Sequence, residues 1–557
     1  MNASTRTNAG GRNPWLALVV LGLGFFMILL DGAIVNVAVP TMVASLHATL
    51  DQILWVLNAY LLVFAALLIT AGRIGDIVGP RTMFIAGLAI FTLASVLCGL
   101  SQDANQLIAA RVLQGVGAAT MSPQVLVIVA AIFPADRRGA ALGVVASITA
   151  LAVVGGPTLG GLLVTHVGWR WIFYINFPVG VVGLVASFVL VPDFRPGRRH
   201  RLDLVGVVLA SLGLAGIAYG LIEGRRYDWS TIDGTLVTIP EVIGGGVLLL
   251  VAFSLWQRTR QEPLVPLSLF ANRGYVVATW LGALSYFGTL GFGLVFTIYF
   301  QSVLGMSALS AGLTTLPFAF SLAVGAPIAG RVTDRIGGRY VLMLGSLLYG
   351  IGLVSFALVS STTATWPTFA LPFIVAGVGM AFLTAPSMTV ALQDIKPAMT
   401  GAASGLFNTG RQVGGAIGAA VVGAVLQNRL VSAMHDNAVA DSGLLPAGVR
   451  ANFINSFASA AHSGLEVGRG QSGGAQVPGG VSPALAQQLQ GLIHDVFVNS
   501  FLTALRPALF VPAFAFAIGA LTCLLIAGRH SVVSAPVATH PTTEPAPPER
   551  ASVEKRA

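Results

Sequence analysis

The sequence predicts an all-α polytopic membrane protein with fourteen transmembrane helices. Three observations carry this. The chain has 557 residues, of which 55% are hydrophobic and only 9% charged, against about 25% charged in a soluble domain. Its apolar residues fall into charge-poor runs of about 18–27 residues, the length a helix needs to cross the hydrocarbon core. Arg and Lys gather in alternate connections between those runs.

Taken in order, residues 1–14 form a short N-terminus with Arg6 and Arg12. The apolar run after it is too long for a signal-peptide core, so it is read as an uncleaved first span. The spans are placed near 15–39, 53–71, 82–101, 106–132, 140–164 and 171–191. Two more lie near 204–222 and 239–256. The last six lie near 275–300, 309–330, 340–360, 367–391, 402–426 and 506–527. With the N-terminus inside, the inside segments hold 21 of the 30 Lys and Arg residues and the outside segments hold 6. That bias puts both termini in the cytoplasm.

The segment GRIGDIVGPR at 72–81 recurs as GRVTDRIGGR at 330–339, each after an even-numbered span. A repeat of six helices explains most of the spacing, and two inserted helices explain the remainder. The predicted organisation is a six-helix bundle at 15–191, two inserted linker helices at 204–256, and a second six-helix bundle at 275–527. Repeated bundles with a site at their interface are the usual plan of secondary transporters. Residues 428–503 are expected to be one long outside connection. Within it, SPALAQQLQGLIHDVF from Ser482 has a capping Ser, a Pro at the first helical position and an apolar face at Leu485, Leu489, Leu492 and Val496, so it predicts an amphipathic helix. Gly464–Gly480 reads as a flexible turn, and 528–557 as a disordered cytoplasmic tail.

Composition also excludes classes. The net charge of +9 comes from residues that set topology, with no basic patch interleaved with aromatics, so nucleic acid is not an expected partner. Cys98 and Cys523 lie inside apolar spans and read as small buried hydrophobes. No phosphate-binding GxxxxGK[ST] loop, HExxH or paired catalytic carboxylates occur. The expected protein is not an enzyme and takes no metal or cofactor; its energy source is an ion gradient.

Three charges stand out at membrane depth. Asp31, in LDGAIVNVAVP, is a carboxylate in the first span. Such a group costs about 2.5–3.5 kcal/mol even on lenient insertion scales. It reads either as a proton or cation site or as an Asp paired structurally inside the bundle. Arg111, in LIAARVLQGVGAA at 107–119, reads either as a cation set near Asp31 or as one reaching for an interface; Gln114 follows on the same face. ALAVVGGPTLGG at 150–161 offers Gly155, Gly156, Gly160 and Gly161 for close helix approach, with Pro157 to bend the helix. NTGRQVGGAIG from Asn408 puts Arg411 in the thirteenth span, where it either binds an anionic or polar substrate group or ties up a backbone carbonyl.

Together these segments resemble the major facilitator superfamily, and most of all its fourteen-span drug:proton antiporter branch, the EmrB/QacA type of multidrug efflux transporter. The resemblance runs from about 15 to 527. It implies the major facilitator fold and proton-coupled export of hydrophobic drugs or antibiotics across a bacterial cell membrane. The alternative is a dedicated exporter of one endogenous product, such as a lipid, siderophore or self-made antibiotic. It implies that Asp31 and Arg111 couple protons, with Asp31 facing a water-accessible chamber between the halves. The repeated segment would then be an inside loop acting as a conformational latch through Gly72, Asp76, Arg81, Asp334, Arg335 and Arg339. Gly156, Pro157, Gly160 and Gly161 would serve as a hinge. Asn36, Asn58, Tyr60, Gln114, Tyr286, Asn408 and Arg411 would line the substrate cavity, with Trp280, Phe287, Tyr299 and Phe407 as further aromatic candidates. The partners implied are an amphiphilic small molecule, protons and the lipid bilayer, and the expected unit is a monomer.

Overall fold

The computed structural model describes residues 13–46, 50–193, 203–224, 227, 229–232, 234–260, 263–396, 399–445, 447–460 and 483–526. Most of the N-terminal segment, Gly464–Gly480 and the tail 528–557 lie outside them. The helices of the first half are α1 (Pro14–Leu46), α2 (Leu50–Val78), α3 (Pro80–Leu100), α4 (Ala104–Ile132), α5 (Ala135–His166), α6 (Trp171–Tyr174) and α7 (Asn176–Leu190). Next come α8 (Leu204–Glu223) and α9 (Ile239–Arg258). The second half holds α10 (Arg273–Ile298), α11 (Ala308–Thr314), α12 (Leu316–Ile336), α13 (Gly338–Val359), α14 (Ala370–Gln393), α15 (Thr400–Asp441), α16 (Ala447–Ala460) and α17 (Pro483–Thr522). Thirteen helices among the described residues are long and apolar enough to cross a membrane. The span expected at 140–164 falls on α5.

Local signals explain many of the boundaries. Asp103 caps α4 by accepting the Gln106 amide, and Asn272 caps α10 by accepting that of Tyr275. Thr238 and Glu241 form a reciprocal capping box at α9. Gly79 (φ 109°) and Gly337 (φ 86°) supply the left-handed turns between α2 and α3 and between α12 and α13.

The repeated segments differ from expectation. They are not loops. Residues 72–78 are the last turns of α2, residues 330–336 the last turns of α12, and only Gly79 and Gly337 leave the helix. The long connection at 428–503 is also mostly helical where described. α15 runs on to Asp441, α16 follows, and the amphipathic segment after Ser482 is continuous with the last span as α17. Its apolar face at Leu489 and Val496 is buried in the core, so packing carries the helix onward without a break.

In the first half α1 packs on α5, α4 and α7, while α4 packs on α2 and α3. In the second half α10 packs on α15, α14 and α17, and α14 packs on α12 and α13. The halves meet where α5 lies against α12 and α14, and where α2 and α4 lie against α15. The inserted hairpin α8–α9 sits on α2 and also touches α15.

Candidate functional site

Asp31 lies on α1 with no exposed surface, and α4 brings Arg111 and Gln114 to it. Gly115 lets α4 lie close against α2, where a Cβ would come within 2.8 Å of the Tyr60 carbonyl. Arg111 Nη1 is paired with Asp31 Oδ2. Gln114 Nε2 donates to Asp31 Oδ1 (2.8 Å) and contacts Ser95 Oγ (2.8 Å); Arg111 Nη1 donates to Gln114 Oε1 (2.6 Å). Asn176 Nδ2 reaches Asp31 Oδ1 at 3.4 Å from the start of α7. Arg111 Nε donates to the Val56 carbonyl (3.0 Å), and the guanidinium lies 4.2 Å from the Tyr60 ring centroid. Every one of these groups belongs to the first half.

This arrangement corrects three expectations. Asp31 does not face a chamber between the halves in this conformation; it is sealed within one of them. Gln114 ties the carboxylate to the arginine, and Tyr60, whose hydroxyl donates to the Ile28 carbonyl (3.1 Å), is a floor beneath Arg111, so neither is a cavity wall. Asn58, half-buried, donates from Nδ2 to Glu223 Oε1 (2.9 Å) on α8. The side chain of Asn36 lies outside the described residues. Sequence reasoning missed Ser95 and Asn176. Asn176 was visible as the lone amide in WRWIFYINFPVG, directly after the α5 glycines.

Those glycines hold α1 beside its acid. A Cβ on Gly156 would lie 2.5 Å from that of Ala33, and one on Gly160 would lie 2.8 Å from Ile34. Gly161, expected to share this role, has nothing within 4 Å. Pro157 lies within the continuous span of α5, but its side chain is outside the described residues.

The two copies of the repeat form two matching contacts between the halves. Asp76 accepts the amides of Gly401 (3.0 Å) and Ala402 (3.2 Å) in the first turn of α15, where free N–H groups and the positive dipole end favour a carboxylate. Arg73 lies 3.8 Å from Asp76. In the second copy Asp334 accepts the amide of Gly139 near the start of α5 (3.1 Å). Each Asp stands four residues after a glycine that lets the backbones touch. A Cβ on Gly72 would sit 2.5 Å from the Gly401 carbonyl oxygen, and one on Gly330 would sit 1.9 Å from that of Gly139. The receiving segments repeat as well: Gly139–Gly143 reads GAALG and Gly401–Gly405 reads GAASG. That second repeat is present in the sequence alone. Two hydroxyls also cross the seam, Ser404 to the Pro123 carbonyl (3.0 Å) and Ser147 to that of Ala323 (2.5 Å).

Two of the basic latch candidates contact their own halves. Arg81 donates to the Phe188 carbonyl at the end of α7 (2.6 Å), so it does not bridge the halves. Arg339 lies over Tyr340 (5.6 Å), and Arg335 is exposed.

In the second half Arg411 is buried on α15 with its guanidinium 4.1 Å from the Tyr286 ring and 5.8 Å from Phe407. Asn408 donates to the Ser404 carbonyl one turn back (3.0 Å). Trp280 is exposed, while Tyr299 is buried in an aromatic core with its hydroxyl donating to the Ser361 carbonyl, so Tyr299 does not line a cavity. Among the described residues no cluster of His, Cys, Asp and Glu is placed to hold a metal ion.

The family profile of the Major Facilitator Superfamily matches residues 21–419. A transporter of this type from Mycobacterium tuberculosis is 39% identical over 459 residues, covering 82% of this chain and 78% of its own. The tetracenomycin C resistance and export protein of Streptomyces glaucescens is 34% identical over 489 residues, covering 87% of each chain. Among solved structures, the human organic anion transporter MFSD10 superposes with a TM-score of 0.54 at 12% identity, over 91% of this chain and 99% of its own, a likeness of fold.

Proposed function

The chain belongs to the major facilitator superfamily, and we propose that it is a drug:proton antiporter of the fourteen-span EmrB/QacA type. It exports hydrophobic drugs or antibiotics across a bacterial plasma membrane, as a monomer with both termini cytoplasmic and without a cofactor. The observation that carries this reading is the carboxylate of Asp31, wholly buried and bonded to Arg111, Gln114 and Asn176. A relative named for resistance and export supports the direction of transport.

In this reading the latch end, where Asp76 and Asp334 grip α15 and α5, faces the cytoplasm, and the conformation is the one closed to it. Asp31 is then charged and shielded by Arg111. It takes a proton when the first half loosens and water reaches it from outside. Protonation removes the charge that Arg111 holds, frees the network to rearrange, and permits the latches to open. Moving one positive charge inward releases about 2.3 kcal/mol per 100 mV, enough to drive uphill export of a neutral substrate.

The test uses the purified protein in proteoliposomes with an imposed pH gradient and puromycin as probe. Uphill puromycin transport coupled to opposite proton flux, abolished when an ionophore collapses the gradient, is the expected result. Transport indifferent to the gradient contradicts the proposal. A second reading, a dedicated exporter of one endogenous product, draws on a relative named for a single compound. It predicts that only one compound in a structurally mixed panel is moved.

A further inference from the structure

Among the described residues three arginines are buried, Arg73, Arg111 and Arg411, and the last two are treated in opposite ways. Arg111 is 1% exposed, and its charge is met by Asp31, Gln114 and the Val56 carbonyl. Arg411 is 2% exposed, yet no carboxylate among the described residues pairs with it, and its Nη2 is buried without a hydrogen-bond partner. The expected alternative, a bond from Arg411 to a backbone carbonyl, does not occur at that atom. A guanidinium taken out of water without an anion is destabilising, and aromatic faces offset only part of that. Its setting is shaped around it. The Tyr286 ring faces the cation at 4.1 Å, and Phe407 stands at 5.8 Å. Gly282 opposite admits the Phe407 ring, which a Cβ there would meet at 2.8 Å, and lies beside the Arg411 stem at 3.5 Å. The Tyr286 side chain already interacts with the guanidinium, but Nη2 keeps no partner; what this cluster lacks is an anionic oxygen, and two aromatic rings stand beside the place for it.

We propose that Arg411, Tyr286 and Phe407 form a substrate subsite in the second half that takes a carboxylate or phenolate oxygen carried on a planar aromatic molecule. This rests on the export reading and narrows its substrate class. Arg411 donates to the oxygen in its own plane, and the aromatic rings hold the body of the ligand. The division of labour follows: the first half keeps a self-neutralised pair for the proton, and the second keeps an unneutralised cation for the cargo.

The test compares anthraquinone-2-carboxylate with its methyl ester, two probes of one shape that differ in charge. Binding to the full-length protein in lipid nanodiscs is read by quenching of tryptophan fluorescence. The wild-type protein should bind the acid about tenfold or more tightly than the ester, the strength of one charge-assisted hydrogen bond. Arg411→Gln should lose that preference, bind the ester within about twofold of wild type, and unfold at no lower temperature without ligand, because it removes an unpaired buried charge. Arg411→Lys should keep a reduced preference. No preference in the wild type, or equal weakening of both probes in Arg411→Gln, overturns the subsite. If Arg411→Gln does not accumulate, the wild-type preference and its reduction in Arg411→Lys decide the matter. Transport in vesicles separates this inference from the reading beneath it. Export of the ester with no binding preference for the acid refutes the subsite and leaves export standing. The expected preference with neither probe moved under a pH gradient keeps the subsite and refutes export.

Discussion

Asp76→Asn tests whether the repeated Gly-x-x-x-Asp contacts hold the latch end shut. Each oxygen of Asp76 accepts one amide of α15, from Gly401 at 3.0 Å and from Ala402 at 3.2 Å. Asparagine keeps one acceptor and sets an NH₂ against the other amide. A hydrogen bond to a charged group is worth about 1.5–3 kcal/mol, and an opposed buried donor costs more. The loss is therefore about 2–3 kcal/mol, which at 1.4 kcal/mol per tenfold shifts the balance away from this closed form roughly 30- to 150-fold. Ser404 is a suitable reporter. It is buried on α15 and its hydroxyl donates to the Pro123 carbonyl of the other half, so a thiol there is shielded while the seam is closed. In Ser404→Cys protein, with Cys98 and Cys523 buried as internal controls, a water-soluble maleimide should react faster in the Asp76→Asn background by a factor in that range. An unchanged labelling rate would refute the assignment of Asp76 as a latch.

Four further outcomes follow from the same contacts. Gly330→Ala puts a methyl group 1.9 Å from the Gly139 carbonyl oxygen, with only backbone to yield; it should open the second contact and raise maleimide labelling of Ser147→Cys. Asp31→Asn leaves Arg111 buried without its anion and should lower stability by about 3–5 kcal/mol, whereas Asp31→Asn with Arg111→Gln should recover much of that loss, read by thermal unfolding in detergent. Gly156→Val should cost about 1–3 kcal/mol by overpacking against Ala33, while Gly161→Val, with nothing within 4 Å, should leave the melting temperature unchanged. At the foot of the inserted hairpin, burial alone would raise the Asp203 carboxyl, but bonds from Trp256, the Gly206 amide and Gln257, with Arg260 nearby, hold it below the usual carboxylate value. A depressed folded value means that its contribution is present at neutral pH and is lost as pH falls through that value. Trp256→Phe should therefore shrink the acid-dependent part of stability and leave the part above about pH 5 nearly level.

The spans were legible because bilayer thickness writes itself into the chain as runs of apolar residues, and the structure places helices on them. Boundaries at the ends were less so. The turns before Gly79 and Gly337 look like loops because they are rich in Gly and charge, yet they stay helical because those glycines serve contact with another helix. The pairing of Asp31 with Arg111 is one of two readings the sequence leaves open for each residue, and the structure shows the pair. Which side of a helix faces the seam was not legible: a linear reading assigns Tyr60 and Gln114 to a cavity, while tertiary packing turns Gln114 onto Asp31 and Tyr60 under Arg111. The GAALG and GAASG segments show the opposite case, a signal present in plain sequence and meaningful only once Asp76 and Asp334 are seen to land on it.

The most direct test of proton exchange at Asp31 compares two modes of transport in Asp31→Asn proteoliposomes. Substrate-for-substrate exchange without a gradient should persist, since it needs the helices but no proton. Uphill transport driven by an imposed pH gradient should vanish. Uphill, gradient-driven transport surviving in Asp31→Asn would contradict the account.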